Sequence, residues 1–293
     1  MNDRVATVGM FDGVHLGHRR LLEFLRQNAS DRQPLAITFS NHPLSVVNPG
    51  KTPMLLSSPD EKASLLEECG VQPVMLDFDN SMRRLTSEEF MRMIAEQYGV
   101  STLIMGFNNR MGSDVDTPPS QYEAIGQRLG VKVLTAPPLQ VGGNPVSSTR
   151  IRTHLLEGCP EKASELLGRD YTLCGIVGRG KQIGRTIGFP TANIVSNFPA
   201  KLLPKPGVYS GEAVLADGSR YLAVTNIGQR PSVDADPAGT IESHLPDFTG
   251  DLYGQPVTIS FRHRLRDTRR FPSLSHLNAQ LRADVEIARA DWQ

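Results

Sequence analysis

The sequence predicts an α/β domain built on a parallel sheet, followed by a small all-β barrel with a C-terminal helix. Three observations predict it. Short apolar strands and amphipathic helices alternate from Val5 to about Leu167, as strand–helix–strand units do. After Tyr171 short strand candidates follow one another between clusters of Gly, Pro, Asp and Asn, as in antiparallel barrels. The stretch from Ser273 to about Ala290 returns to helical spacing behind a serine cap. Gly168-Arg169-Asp170 is the predicted boundary, giving domains of 1–168 and 169–293.

In the first half, strands are expected at Val5 to Val8, Leu35 to Phe39, Val74 to Phe78, Thr102 to Met105 and Val131 to Leu134. Helices are expected from about Leu16, over 59–69 and Ser87–Tyr98, through Tyr122–Leu129, on to Gly158, and over Glu161–Leu167. Ser58 and Pro59 mark one helix start, and Gly70 and Gly99 mark helix ends. In the second half, strands are expected at Leu173–Val177, Val208–Val214, Tyr221–Asn226, Thr240–Leu245 and Val257–Phe261. Leu274, Leu277, Leu281, Val285 and Ala288 should form one packing stripe on the last helix.

The chain is organised around residues 8 to 25. A strand meets a glycine turn, His15 and His18 follow at a spacing of three, and a helix begins. Free N–H groups and the positive end of the helix dipole make that place an anion site. Two imidazoles there suit a phosphate that gains charge during reaction. A loop with two surface histidines is the plainer reading of the tetrapeptide taken alone. The strand–turn–helix context favours the phosphate reading.

Other stretches carry chemistry. Ser147-Ser148-Thr149-Arg150-Ile151-Arg152 places hydroxyls before a helix and two guanidiniums beside them, a cap and a phosphate cradle together. Residues 178–193 carry four glycines, Lys181 and Arg185 in a loop that is not a P-loop, because no Gly-Lys-Ser/Thr closes it. Thr191 and Asn193 offer oxygens of the kind Mg²⁺ takes. Glu242 stands inside an apolar strand, where a carboxylate is unfavourable unless partnered, and where it is able to take a hydroxyl proton. A rim glutamate in a salt bridge is the alternative. Five arginines crowd Arg262 to Arg270, which reads either as a solvated face or as a nucleic-acid patch.

His15-Leu16-Gly17-His18 resembles the H-x-G-H signature of the nucleotidyltransferase superfamily. The lead-in Gly9-Met10-Phe11-Asp12-Gly13-Val14 narrows the resemblance to the bacterial bifunctional riboflavin kinase/FAD synthetases. Ser147-Ser148-Thr149 with Arg152, the segment ending Pro190-Thr191-Ala192-Asn193, and the run from His263 to Phe271 are similar to that family's motifs in the same order. So is Asn226-Ile227-Gly228-Gln229-Arg230-Pro231, to which no role is assigned. The resemblance implies a Rossmann-like nucleotidyltransferase domain, then a six-stranded riboflavin kinase barrel.

It also implies the roles. His15 and His18 serve adenylyl transfer, with Gly9, Phe11, Asp12, Gly17, Ser148, Thr149 and Arg152 at the nucleotide phosphates. Glu242 is the kinase base. Gly178, Gly184, Arg185 and Thr191 meet the ATP phosphates, and Thr191 and Asn193 hold Mg²⁺. Asn108, Arg266 and Phe271 contact flavin, with Arg110-Met111 standing where the family more usually has aromatics. Riboflavin, FMN and ATP are the implied substrates. An enzyme with one live activity and a non-enzymatic flavin- or RNA-binding regulator are the rival readings.

Composition bounds the rest. The 293 residues suffice for two cores, and Lys plus Arg equals Asp plus Glu at 31 each, so no global field recruits nucleic acid or membrane. Cys69, Cys159 and Cys174 are too few and too scattered for a disulfide framework or a zinc site. No apolar signal region or membrane-length run is seen, nor any repeat. The expected setting is the cytoplasm, with no membrane, no nucleic acid and no obligate protein partner.

Overall fold

The computed structural model describes residues 3–107, 109–114, 118–179, 188–228 and 240–292. The chain forms two compact units, Met1–Ser148 and Thr149–Gln293.

The first unit carries β1 (Arg4–Val8), α1 (Leu16–Gln27), β2 (Pro34–Phe39), the single turn α2 (Leu44–Val47), α3 (Pro59–Glu68), β3 (Gln72–Leu76), α4 (Ser87–Tyr98), β4 (Val100–Gly106), α5 (Pro119–Leu129) and β5 (Lys132–Ala136). A two-stranded ribbon follows, β6 (Gln140–Val141) and β7 (Asn144–Pro145). The five long strands are parallel in the order β3-β2-β1-β4-β5. Ala6 of β1 packs with Phe90, Ile94 and Tyr122 on one face, while Val5 packs with Leu22, Leu25 and Leu66 on the other. Both faces are thus buried, which is why the strands read as apolar runs. The order reverses beside β1, so the crevice past the ends of β1 and β4 is the place where such sheets bind ligands.

Local signals set the helix ends. Ser58 and Thr86 form reciprocal capping boxes with Glu61 and Glu89. Gly99 adopts the left-handed conformation that stops α4.

The second unit begins at Thr149, within α6 (Ser148–Glu157), and continues into α7 (Pro160–Leu167). The division at Ser148 falls before the 168/169 turn taken from sequence as the boundary. Both helices cluster with the barrel: the Lys205 N–H donates to the Leu155 carbonyl, and α7 packs on the strands that follow.

The barrel strands are β8 (Tyr171–Gly178), β9 (Thr191–Ser196), β10 (Gly207–Leu215), β11 (Arg220–Gly228), β12 (Thr240–His244) and β13 (Pro256–Phe261). They pair antiparallel in the order β11-β12-β9-β8-β13-β10, and β10 pairs again with β11, closing a six-stranded barrel. A seventh strand, β14 (His263–Arg266), adds to the edge of β10. Tyr209, Ala223, Thr225, Ile241 and Ser243 are buried.

The closing helix α8 (Leu274–Asp291), capped by Ser273, lies on the outer face of β10, β11 and β14. The expected stripe holds only at its C-terminal end. Val285 and Ala288 are buried with Val208, Leu222 and Val224, whereas Leu274 is 58% exposed. Leu277 and Leu281 between them are half-buried, so the stripe sinks progressively toward the C-terminal end.

That end also buries a charge. Asp284 is 1% exposed and receives both the Nε–H and an Nη–H of Arg266, at 3.0 and 2.7 Å, with Gln280 donating at 2.8 Å. Removing one partner of such a pair leaves an uncompensated buried charge. Asp284→Ala is therefore expected to destabilise the second unit by about 3–5 kcal/mol, read as a lowered thermal unfolding midpoint.

Among the described residues no helix is long and apolar enough to cross a membrane.

Candidate functional site

Two places gather the expected chemistry, one in each unit. The first is the turn from Gly9 to His18, at the end of β1. Phe11, Gly13 and Val14 all have positive φ, at 48°, 80° and 37°. For a β-branched valine that is a strained backbone, which persists only where the surroundings over-determine it.

The restraints are visible. The Asp12 carboxylate accepts from the backbone N–H groups of Leu56 and Ser57, at 2.8 and 3.2 Å. The Ser57 hydroxyl accepts from Gly13 N–H at 3.0 Å. The Ser148 hydroxyl donates to the Asp12 carbonyl at 2.9 Å. Thr38 donates to the Met10 carbonyl at 3.1 Å. Asp12 and Ser148 thus shape the turn from beneath.

His15 caps α1, its Nδ1 accepting the His18 N–H at 3.2 Å. The two imidazoles stack at 3.6 Å with 12° between their planes. A side chain at Gly17 would put its Cβ 3.1 Å from the His15 ring, so only glycine leaves that stack undisturbed. The edge of Phe11 meets His18, and the Gly9 backbone lies against the Phe11 ring.

His18 Nδ1 is buried with no hydrogen-bond partner among the described residues. Burial, then the nearby His15 and Lys62, hold the His18 imidazole well below the usual histidine range, which favours its neutral form.

Lys62 was not singled out in the sequence. It lies on the inner face of α3, 2% exposed, and donates to the Phe39 carbonyl at 2.5 Å and the Met10 carbonyl at 3.3 Å. Its signal was a lysine one turn before buried Leu66.

Asn108 lies outside the described residues. Its neighbour Asn109 donates its amide to the Val8 carbonyl at 2.6 Å, tying the loop after β4 to the end of β1. Thr149 and Arg152 follow Ser148 on α6 and belong to the second unit.

The second place is a row across the barrel's outer surface. Gly178 on β8 pairs with Asn193 on β9, Asn193 with Glu242 on β12, and Glu242 with Asn226 on β11. Directly opposite residues share a face, with Cβ atoms about 4.5–5.5 Å apart. Thr191, two residues before Asn193, lies on that face too.

Glu242 is exposed between buried Ile241 and Ser243. The expectation of a carboxylate that needed a partner inside an apolar strand is therefore corrected. Strand alternation turns it outward, and among the described residues it has no hydrogen-bond or ion-pair partner. His244 is structural: its ring N–H donates to the Pro190 carbonyl, 2.8 Å away, and it packs against Phe189. It thereby holds the start of β9 in place.

Thr191 and Asn193 supply hard, uncharged oxygens on one exposed face, a donor set that fits Mg²⁺ shared with phosphates. Lys181, Gly184 and Arg185 lie outside the described residues.

Arg266 was expected at the flavin. Its guanidinium is already forked onto Asp284, so it is not a free donor, and it lies over the Phe271 ring at 5.7 Å. Three others of the five arginines are also engaged: Arg262 with Asp170, Arg264 with Asp267 and the Pro206 carbonyl, Arg269 with Gln280 and Phe271.

Comparison with known proteins decides between the readings. A family model for FAD synthetase matches residues 1–150, and one for riboflavin kinase matches residues 167–292. The bifunctional riboflavin kinase/FMN adenylyltransferase of Pseudomonas fluorescens is 35% identical over 98% of this chain and 92% of its own. That of Escherichia coli K12 is 35% identical over 97% and 91%. The chain belongs to the bifunctional riboflavin kinase/FMN adenylyltransferase family. Its Bacillus subtilis member is 32% identical over 97% of this chain and 91% of its own. A crystal structure described as a macrolide-efflux protein from Streptococcus pneumoniae matches with a TM-score of 0.90 at 30% identity, covering 98% of this chain and 94% of that one.

The two family matches follow the two gatherings of residues. The strained turn and stacked histidines fall in the FAD synthetase match, and the Asn193–Glu242–Asn226 row falls in the riboflavin kinase match.

Proposed function

We propose that this chain makes FMN and then FAD at two separate sites, with the following residues in the working roles. At the barrel, the riboflavin 5′-hydroxyl oxygen attacks the γ-phosphorus of ATP, the bond from that phosphorus to the β-bridging oxygen breaks, and ADP leaves. Glu242 takes the hydroxyl proton. Thr191 and Asn193 hold Mg²⁺, which neutralises charge on the phosphates when bound. Gly178, Gly184 and Arg185 line the phosphate path.

At the turn, a phosphate oxygen of FMN attacks the α-phosphorus of ATP, and pyrophosphate leaves with the bridging oxygen. No protein nucleophile is needed. His15, His18 and the N–H groups that open α1 stabilise the charge that builds on the phosphates. Asp12, Phe11, Gly9 and Gly17 hold that geometry. Thr149 and Arg152 are carried over as phosphate donors, and Asn108 as a flavin or nucleotide contact, on the chemistry of their side chains alone.

One observation carries the reading of the kinase site: the register of β9, β12 and β11 sets Asn193, Glu242 and Asn226 side by side. The three free cysteines suit a reducing compartment, so the cytoplasm is the proposed setting.

Purified chain incubated with riboflavin and MgATP should yield FMN first and then FAD, resolved by chromatography. FMN alone would leave only the kinase assignment standing. Neither product would leave a flavin binder.

A further inference from the structure

We propose that Lys62 is a positioning residue of the adenylyl-transfer site: its buried ammonium clamps the carbonyls of Met10 and Phe39, and so fixes the turn that presents Gly13 to His18 to the nucleotide phosphates. The inference rests on assigning that turn to adenylyl transfer.

The geometry is specific. Met10 belongs to the strained turn after β1 and Phe39 ends β2, so one ammonium ties that turn to the neighbouring strand end. The Met10 carbonyl is held a second time by Thr38. Both hydrogen bonds of Lys62 go to backbone carbonyls, and its third N–H has no acceptor among the described residues.

A lysine is an unfavourable filler for such a place. A methionine would occupy similar volume without desolvating a charge. A group that opposes folding yet is aimed at the backbone of a site is the mark of a functional constraint.

The charged groups around it are few. Asp12 faces it from the turn, and His15 and His18 face the same space from α1. From α3 itself Glu61 is turned away into its capping box with Ser58. From β2 only the Thr38 hydroxyl and the Phe39 carbonyl approach. Burial lowers Lys62 from 10.5 to about 8, with Asp12 drawing it back upward. In the free protein the lysine is therefore about half charged near pH 8, and its ammonium is lost as pH rises through that value.

The test uses the full chain with FMN and MgATP. Lys62→Met should lower adenylyl transfer about tenfold or more, since small displacements of aligned groups carry large rate penalties. FMN formation from riboflavin should be unchanged in the same preparation, and the thermal unfolding midpoint should not fall. The pH profile of kcat/KM reports groups of the free enzyme. In the parent it should descend above about pH 8, whereas in Lys62→Arg, which keeps its charge, the descent should move to higher pH.

Adenylyl transfer within twofold of the parent in Lys62→Met would overturn the proposal. So would a lowered unfolding midpoint, which would mark the lysine as merely structural, or a descending limb unmoved in Lys62→Arg. A loss in His18→Ala together with no loss in Lys62→Met would reject the lysine and keep the site. No loss in His18→Ala would reject the site itself.

Discussion

Glu242→Gln is expected to slow FMN formation by about a hundredfold to ten-thousandfold, the usual contribution of a positioned base. Conversion of supplied FMN to FAD should keep its rate. Glutamine preserves the shape of the side chain and removes its ability to take the proton of the attacking hydroxyl. Because Glu242 is exposed and has no hydrogen-bond or ion-pair partner among the described residues, the change should leave stability within about 0.5 kcal/mol. The loss therefore belongs to chemistry rather than to folding. Asn193 and Asn226, its cross-strand neighbours, keep their places in the strand register. The measurement is the initial rate of each half-reaction, riboflavin with MgATP and FMN with MgATP, in one preparation. FMN formation within tenfold of the parent would show that another group takes the proton. Loss of both reactions in folded protein would show that the sites are not separate.

What the sequence made legible was whatever local rules determine. The helix read over Ser87–Tyr98 is the helix observed, because Thr86 with Glu89 and Gly99 punctuate it within its own turns. The parallel sheet follows from strand–helix alternation, which needs no long-range knowledge. Four strands escaped, the two-residue pair β6 and β7 because they are too short to show a pattern, and β9 and β14 for another reason. β9 begins with Thr191 and Asn193, whose outward polar side chains read as chemistry rather than as a strand, and β14 is half of the arginine run.

Face and partner were harder still. The strand containing Glu242 was visible, but its outward direction is set by closure of a barrel whose strands come from distant parts of the chain. Arg266 finds its acid 18 residues on, and Lys62 finds its carbonyls 23 and 52 residues back. A lysine on an amphipathic helix carries no mark of which way it points until the sheet beneath it is assembled. The histidine pair was legible for the opposite reason, since its stack and its cap are made within four consecutive residues.

His18→Ala is expected to lower FAD formation from FMN by about a hundredfold to a thousandfold, the usual effect of removing one preorganised donor from a site of developing charge. Riboflavin phosphorylation should be unaffected, since that chemistry belongs to the other unit. His18 is held toward its neutral form, because burial disfavours its charge and His15 and Lys62 add positive neighbours. An arriving triphosphate reverses that field. The anion favours the imidazolium, the pKa rises on binding, and the complex takes up a proton at neutral pH. Calorimetry of ATP binding in buffers of different ionisation enthalpy measures that uptake, and the difference between parent and His18→Ala isolates the share of this one residue from ATP binding elsewhere. A variant that kept its rate within tenfold, or that took up as many protons as the parent, would mean that the buried imidazole is packing for His15 and that the phosphates are met by the helix N–H groups alone. The sign matters more than the size. A residue that is neutral until its ligand arrives stays out of the way of folding, and becomes an electrostatic partner only when there is charge to meet.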